Sequence, residues 1–169
     1  MNRQKIYRLL SIQILVLFAF SLNIVNADFQ HTHNTHYLSI FSAVNQNRNM
    51  AGLQSVNMTE RAMAAAQAKA DEMVRLSEFR HSLSSGFALF DLVHSHGYSF
   101  FTAGENLALF YSNGAEAVEG WMQSPSHRSN ILNDRFEEVG IGVAEGSWFG
   151  YDGTVYVLIM VQDIVNKSQ

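Results

Sequence analysis

Apolar positions follow a helical spacing through the first two thirds of the chain and form continuous runs near its end. From His36 the spacing predicts a helix that ends near Arg48. Its inner face is expected to comprise Leu38, Phe41, Val44 and Asn45. A second helix is predicted from Asn57, because Glu60 follows at the spacing of a capping box.

The second helix carries an apolar stripe rich in small residues. The stripe consists of Met63, Ala66, Ala70, Met73 and Val74. Such a face is typical of core packing, and its alanines allow a neighbouring element to approach closely. Two further helices are predicted. One lies in residues 86–100 and ends at Gly97; the other, GAEAVEGWMQ, turns Ala117, Val118, Trp121 and Met122 inward.

The spacing of the apolar residues changes near the end of the sequence. EVGIGVAEG and TVYVLIMVQDI are β-branched, apolar runs separated by the glycine- and aromatic-rich SWFGYDG, which predicts two antiparallel strands and their connection. YVLIMV is apolar at every position, so both faces of its sheet need a cover. Helices first and strands last indicate an α+β domain with a small antiparallel sheet flanked by helices.

The first 27 residues have the pattern of a signal peptide. Arg3, Lys5 and Arg8 precede an apolar run, and VNA ending at Ala27 offers small residues for cleavage. We therefore expect a secreted protein, periplasmic or extracellular, with no stable membrane anchor after cleavage. Residues 28–35 are expected to be flexible, and residues 36–166 to form one domain, which must fold without disulfides because the chain has no cysteine.

The net charge of the chain excludes some classes of binding partner. Once the three cations of the first segment are removed, eight Lys and Arg remain against fifteen Asp and Glu, a balance of −7. Such a surface does not suit indiscriminate nucleic-acid binding, so no nucleic acid is expected. The spaced His31, His33 and His36 are typical of a mobile terminus, with a metal clamp as the alternative.

Three short stretches carry candidate chemistry. In SPSHRSNIL, Ser124 and Pro125 suit the cap and first position of a helix, which places His127 in the first turn. The helix dipole keeps such an imidazole neutral, able to ligate a metal, accept a proton or simply hydrogen-bond across the fold. In AGENLALF, Glu105 lies between Gly104 and Asn106 in what reads as a tight turn, and His81 in EFRHS lies in a segment without helical or strand pattern.

Taken in order, FRHS, GENLA, WMQSPSHRSNIL, VGIGVA and YVLIMVQDI resemble the CAP superfamily of cysteine-rich secretory, antigen 5 and pathogenesis-related 1 proteins. SAVNQNRNMAGLQSV is similar to the family's first-helix pattern, and the cysteine-free form resembles its bacterial branch. The resemblance implies an α-β-α sandwich with a cleft lined by two histidines and two glutamates. His81, Glu105 and His127 match three of those positions, and Asn106 and Ser124 lie beside them in the motifs.

The fourth position departs from the family. Many eukaryotic members have a glutamate three residues after the helix tryptophan, where this chain has Ser124. The second carboxylate is therefore missing or supplied from elsewhere, with Glu119 and Glu138 as candidates.

Two imidazoles and one carboxylate match a zinc ligand set, so zinc or another divalent cation is expected at His81 and His127. We expect a binding or interaction module for a small-molecule, lipid or protein ligand, with Glu105 as ligand or orienting residue. The alternative is a metal-dependent hydrolase of an extracellular or envelope substrate with Glu105 as general base. A lipid-binding aromatic loop of Trp148, Phe149 and Tyr151 is a further hypothesis, although closure of these rings over the sheet edge is favoured.

Overall fold

The computed structural model describes residues 35–163, which contain five helices and a four-stranded sheet. The predicted signal peptide, His31 and His33 lie outside these residues. The helices are α1 (35–50), α2 (Glu60–Leu76), α3 (Leu89–Ser95), α4 (Gly114–Gln123) and α5 (Pro125–Ile131). The strands are β1 (Asn57–Met58), β2 (Phe100–Leu109), β3 (Glu138–Trp148) and β4 (Tyr151–Asp163).

The sheet has the order β1-β3-β4-β2, so β2 is an outer strand. β4 pairs antiparallel with both β2 and β3, whereas the short β1 runs parallel to β3. The two predicted strands at the end of the chain are confirmed. Their hairpin closes over Phe149 and Gly150, both with positive φ, the combination that a two-residue turn matched to sheet twist requires.

Two apolar cores lie on opposite faces of the sheet and make it the middle layer of an α-β-α sandwich. On one face, α2 and α3 cover alternate strand residues such as Leu107 and Ile159. On the other, residues of α1, α4 and α5 pack against Ile141 and Leu158. The expected α+β class and sandwich architecture are therefore confirmed, and the all-apolar β4 is explained by its cover on both sides.

Small residues let α2 lie directly on the sheet. A Cβ placed on Gly140 would fall 1.9 Å from the main-chain oxygen of Ala62, and one on Gly142 would fall 2.0 Å from that of Ala66. No side chain fits there, so the glycines of VGIGVA and the alanines of α2 form one close contact. The sequence expectation that the alanines permit close approach is confirmed.

Several local predictions were wrong for identifiable reasons. Asn57 is not a helix cap, because it pairs with β3 as part of β1. Thr59 caps α2 instead, its side chain accepting from the amide of Ala62. The inner face of α1 carries Ile40 and Val44, whereas Leu38 is 56% exposed.

The strand β2 was missed altogether. The sequence GEN was read as a tight turn, yet Glu105 pairs with Ile159 in the middle of a ten-residue strand. Because Glu105 and Asn106 are polar, the sequence did not indicate a strand that is buried on both faces.

His36 is not part of a mobile terminus. It lies in α1 with its Nδ1 3.2 Å from the hydroxyl of Tyr156. The aromatic residues of the connection between β3 and β4 differ in exposure. Trp148 is buried, while Phe149 and Tyr151 are 82% and 73% exposed. Of the helices in residues 35–163, none has both the length and the apolar character needed to cross a membrane.

Arg48 joins the end of α1 to the segment after α5. The side chain is 1% exposed and donates from Nε to the carbonyl of Gln54, at 2.9 Å. From its two terminal nitrogens it reaches three more carbonyls, those of Ile131, Asn133 and Phe136. A planar donor fork can satisfy several carbonyls at once, which suits arginine and not lysine.

We predict that Arg48→Ala lowers the free energy of unfolding by about 3 kcal/mol or more, because four carbonyls lose a charged donor. Chemical denaturation followed by circular dichroism measures the change. Arg135→Ala is the matched control, since Arg135 contributes only a main-chain amide to the described hydrogen bonds. A loss equal to that of the control would show that Arg48 does not tether α1.

Candidate functional site

Glu105 occupies the centre of the site because β2 carries it into the layer between the sheet and α2. Its side chain is 2% exposed, and its Oε1 lies 2.6 Å from Nδ1 of His81. The other oxygen, Oε2, has no hydrogen-bond partner among residues 35–163, but the ammonium of Lys69 lies 3.9 Å away. A buried carboxylate is costly unless opposite charges and hydrogen bonds surround it, and these two side chains supply them.

Lys69 holds the segment that carries His81. It lies on the buried face of α2, with 0% exposure, and donates to the main-chain carbonyls of His81 and Phe87. These carbonyls belong to the connection 77–88 between α2 and α3. Burial lowers the pKa of Lys69, and the charge of Glu105 opposes this effect.

The connection 77–88 is further fixed by its own contacts. Leu83 is buried, and its amide donates to the carbonyl of Phe87 at 3.2 Å. Glu78 accepts from the amide of Ser84 and from Arg80, which lowers the pKa of Glu78 to about 2. The segment without helical or strand pattern is therefore an ordered support for His81.

His81 presents an exposed ring from this support. Its side chain is 61% exposed, and because Nδ1 is bonded to Glu105, Nε2 is left for a ligand. The hydrogen bond to Glu105 raises the pKa of His81, and desolvation opposes the rise. Glu105 thus fixes both the orientation of the ring and its preference for a proton.

His127 enters the site from α5. Ser124 is the N-cap and Pro125 the first helical residue, as predicted, but the hydroxyl of Ser124 makes no capping bond and lies 3.4 Å from that of Ser126. Desolvation lowers the pKa of His127, and the nearby charge of His81 lowers it further. The pKa values of the two imidazoles therefore move in opposite directions.

Asn106 and Asn130 fasten α5 to the edge of β2. The Nδ2 group of Asn106 donates to the carbonyl of His127, at 3.0 Å. The Nδ2 group of Asn130 donates to Oδ1 of Asn106, at 2.8 Å, and to the carbonyl of Glu105, at 3.2 Å. Asn106 is 1% exposed and points to the face opposite Glu105, so it positions His127 from behind.

The predicted residues therefore divide into two groups. Glu105 contacts His81, and His127 joins this edge of β2 through its main-chain carbonyl, which accepts from Asn106. Ser124 makes no described contact with His81 or Glu105; its side-chain contact is with Ser126.

Neither candidate for the second carboxylate joins them. Glu119 is exposed. Glu138 is 5% exposed and accepts from the hydroxyls of Tyr98 and Thr59, in a separate cluster with Arg61.

Sequence reasoning missed Lys69 and Asn130. A signal was present for each. Lys69 interrupts the apolar stripe of α2 at a buried position, and Asn130 follows His127 by three residues, on the same side of α5. Several of their partners are main-chain carbonyls of other segments, which leave no mark in the sequence.

Comparison with known proteins agrees with the geometry. The model of the cysteine-rich secretory protein (CAP) family matches residues 41–163. The uncharacterized protein YkwD of Bacillus subtilis (strain 168) is 35% identical over 106 residues, which cover 63% of this chain and 41% of YkwD. The chain thus spans about two fifths of that relative's length.

Solved structures have the same fold. An extracellular protein from Bacillus anthracis that contains an SCP domain superposes with a TM-score of 0.66 at 27% identity, over 73% of this chain and 39% of that one. An outer surface protein from Borrelia burgdorferi gives 0.62 at 20% identity, over 73% of this chain and 89% of that one. With the family match spanning well over half of its residues, the chain belongs to the cysteine-rich secretory protein (CAP) family.

Proposed function

We propose that this protein is an exported binding module whose cleft, at the outer edge of β2, holds its ligand between His81 and His127. The observation that carries the proposal is the 2.6 Å contact between buried Glu105 and exposed His81. A carboxylate fixed in the interior orients an imidazole that points outward, which is the arrangement of a recognition group. Similarity to an extracellular protein with an SCP domain supports the exported location.

A divalent cation such as zinc is the second part of the proposal. His81 and His127 would hold it, and Glu105 would orient His81 through Nδ1, as carboxylates commonly do for histidine ligands. Residues 35–163 contain no group of three or more His, Cys, Asp or Glu side chains placed to hold a metal ion. The proposed site therefore rests on two imidazoles, completed by water or ligand.

The same donor set does not fit a hydrolytic zinc centre. Catalytic zinc sites ordinarily have three protein ligands and a water. Glu105, the candidate general base, has one oxygen bonded to His81 and a side chain that is 2% exposed, so it has little access to an attacking water. The geometry favours Glu105 as a positioning residue and the binding module over the hydrolase.

The metal part is tested by zinc titration with isothermal calorimetry. We expect binding to be lost in His127→Ala and weakened about 10- to 100-fold in Glu105→Gln, because the orienting carboxylate is removed. His94→Ala is the matched control, since the Nδ1 atom of His94 contacts a main-chain carbonyl of its own segment. Zinc binding that survives His127→Ala would refute the two-imidazole site.

The two histidines are expected to titrate on opposite sides of the ordinary pKa of 6.5. The raised pKa of His81 means that its stabilising contribution is complete below 6.5 and is lost as pH rises through the folded-state pKa. The lowered pKa of His127 means that stability falls as pH drops from 6.5 through its folded-state pKa. NMR titration of the imidazole protons reads both values.

Glu105→Gln should lower the pKa of His81, because the largest cause of its rise is removed. His94→Ala serves again as the control. An unchanged His81 titration in Glu105→Gln would mean that the contact between these side chains does not form in solution.

We predict that Lys69→Met lowers the free energy of unfolding by about 3 kcal/mol, because Glu105 loses its buried cation and two carbonyls lose their donor. Loss of the nearby positive charge should also raise the pKa of His81 further. Arg75→Met is the control on the exposed face of α2, where Arg75 pairs with Glu72. Unchanged stability and an unchanged His81 titration would show that Lys69 does not support the site.

A further inference from the structure

The outer edge of β2 is covered in its middle and open toward its beginning. The carbonyls of Glu105 and Leu107 point outward, since they accept from Asn130 and from the indole nitrogen of Trp121. Main-chain groups that point away from the neighbouring strand recur at every second residue of an antiparallel strand. The amide and carbonyl of Ala103, two residues before Glu105, therefore also point outward.

Neither of these groups of Ala103 has a hydrogen-bond partner within residues 35–163. Ala103 is partly exposed and lines a groove with a volume of about 360 Å³. The groove is also lined by the apolar residues Ala88, Leu89 and Phe90 and by the polar residues His81, Glu105 and Asn130.

The lining of the groove is partly apolar and partly polar. Phe90 is 58% exposed, and its ring stacks on that of Phe100 with centroids 5.5 Å apart and planes 9° apart, so an exposed aromatic side chain is held in place. The polar part comprises His81, Ser82, Glu105 and Asn130. An apolar side chain suits the first part and a polar, hydrogen-bonding side chain the second.

We infer that this groove binds an extended peptide, which adds to β2 by pairing its main chain with Ala103 and places a polar side chain near His81. An outward amide and carbonyl on one edge residue are the donor and acceptor that an added strand uses. The wall of Ala88, Leu89 and Phe90 contacts the alternate side chains of such a peptide. The inference deepens the proposed binding function by naming the ligand class.

The test begins with a phage-displayed library of random nonapeptides, selected on the native protein and depleted on Ala103→Pro. Proline removes the outward amide without breaking a hydrogen bond to β4, and His94→Ala, at a residue that does not line the groove, is the control. Enriched peptides are synthesised in natural form and with single N-methylated amides. Binding is measured by calorimetry and mapped through the amide resonances of the ¹⁵N-labelled protein.

We expect the amide resonance of Ala103 to shift, and the affinity to fall at least about ten-fold in Ala103→Pro or with one of the N-methylated peptides. His94→Ala should bind like the native protein. Replacing the peptide's polar side chain near His81 by alanine should weaken binding to the native protein but not to His81→Ala. The N-methylated series uses the native protein, so it decides the question even if Ala103→Pro fails to fold.

No enrichment over Ala103→Pro, or equal affinity for every N-methylated peptide, would overturn the inference. Zinc titration separates this failure from failure of the proposed metal site, because the zinc ligands do not include Ala103. Zinc bound through His127 without any peptide binding would refute the strand addition alone. Peptide binding without zinc uptake would refute the metal site alone.

Discussion

The burial of one carboxylate dictates the form of the site. Glu105 lies inside the sandwich, where an unpaired negative charge would cost several kcal/mol. Lys69 from α2 and His81 from the following connection surround it. The same ammonium binds the carbonyls of the connection, so the neutralisation of Glu105 and the placement of His81 are a single structural arrangement.

The outer edge of β2 is covered by side chains along one part of its length and open along another. An exposed strand edge invites pairing with other chains, and proteins usually cover it. Here Trp121 and Asn130 bond the carbonyls of Leu107 and Glu105, while Ala103 faces the groove. Ala103 lines the same groove as His81 and Glu105, so a main chain and a polar side chain can be recognised together.

The motifs pointed to His81, Glu105 and His127, but the sequence did not predict the strand that carries Glu105. His81, Glu105 and His127 were found through their motifs, and the helices and the final hairpin through their periodicity. The prediction that Glu105 lies in a turn was wrong, because a strand with both faces buried lacks the alternation of apolar and polar residues that marks a half-exposed strand. A buried Glu105 and a buried Asn106, on opposite faces of β2, imitate the composition of a turn.

By itself, the sequence determined the α+β class, the all-apolar central strand, the close contact between alanines and glycines, and the family membership that its ordered motifs imply. These properties depend on side-chain size and spacing, which are local. Only the tertiary structure decided that Lys69 meets Glu105, that Arg48 and Asn130 bond distant carbonyls, and that Ala103 lies at an open edge. These features depend on segments far apart along the chain, and the bonds of Arg48 to distant carbonyls use main-chain groups, which every residue carries.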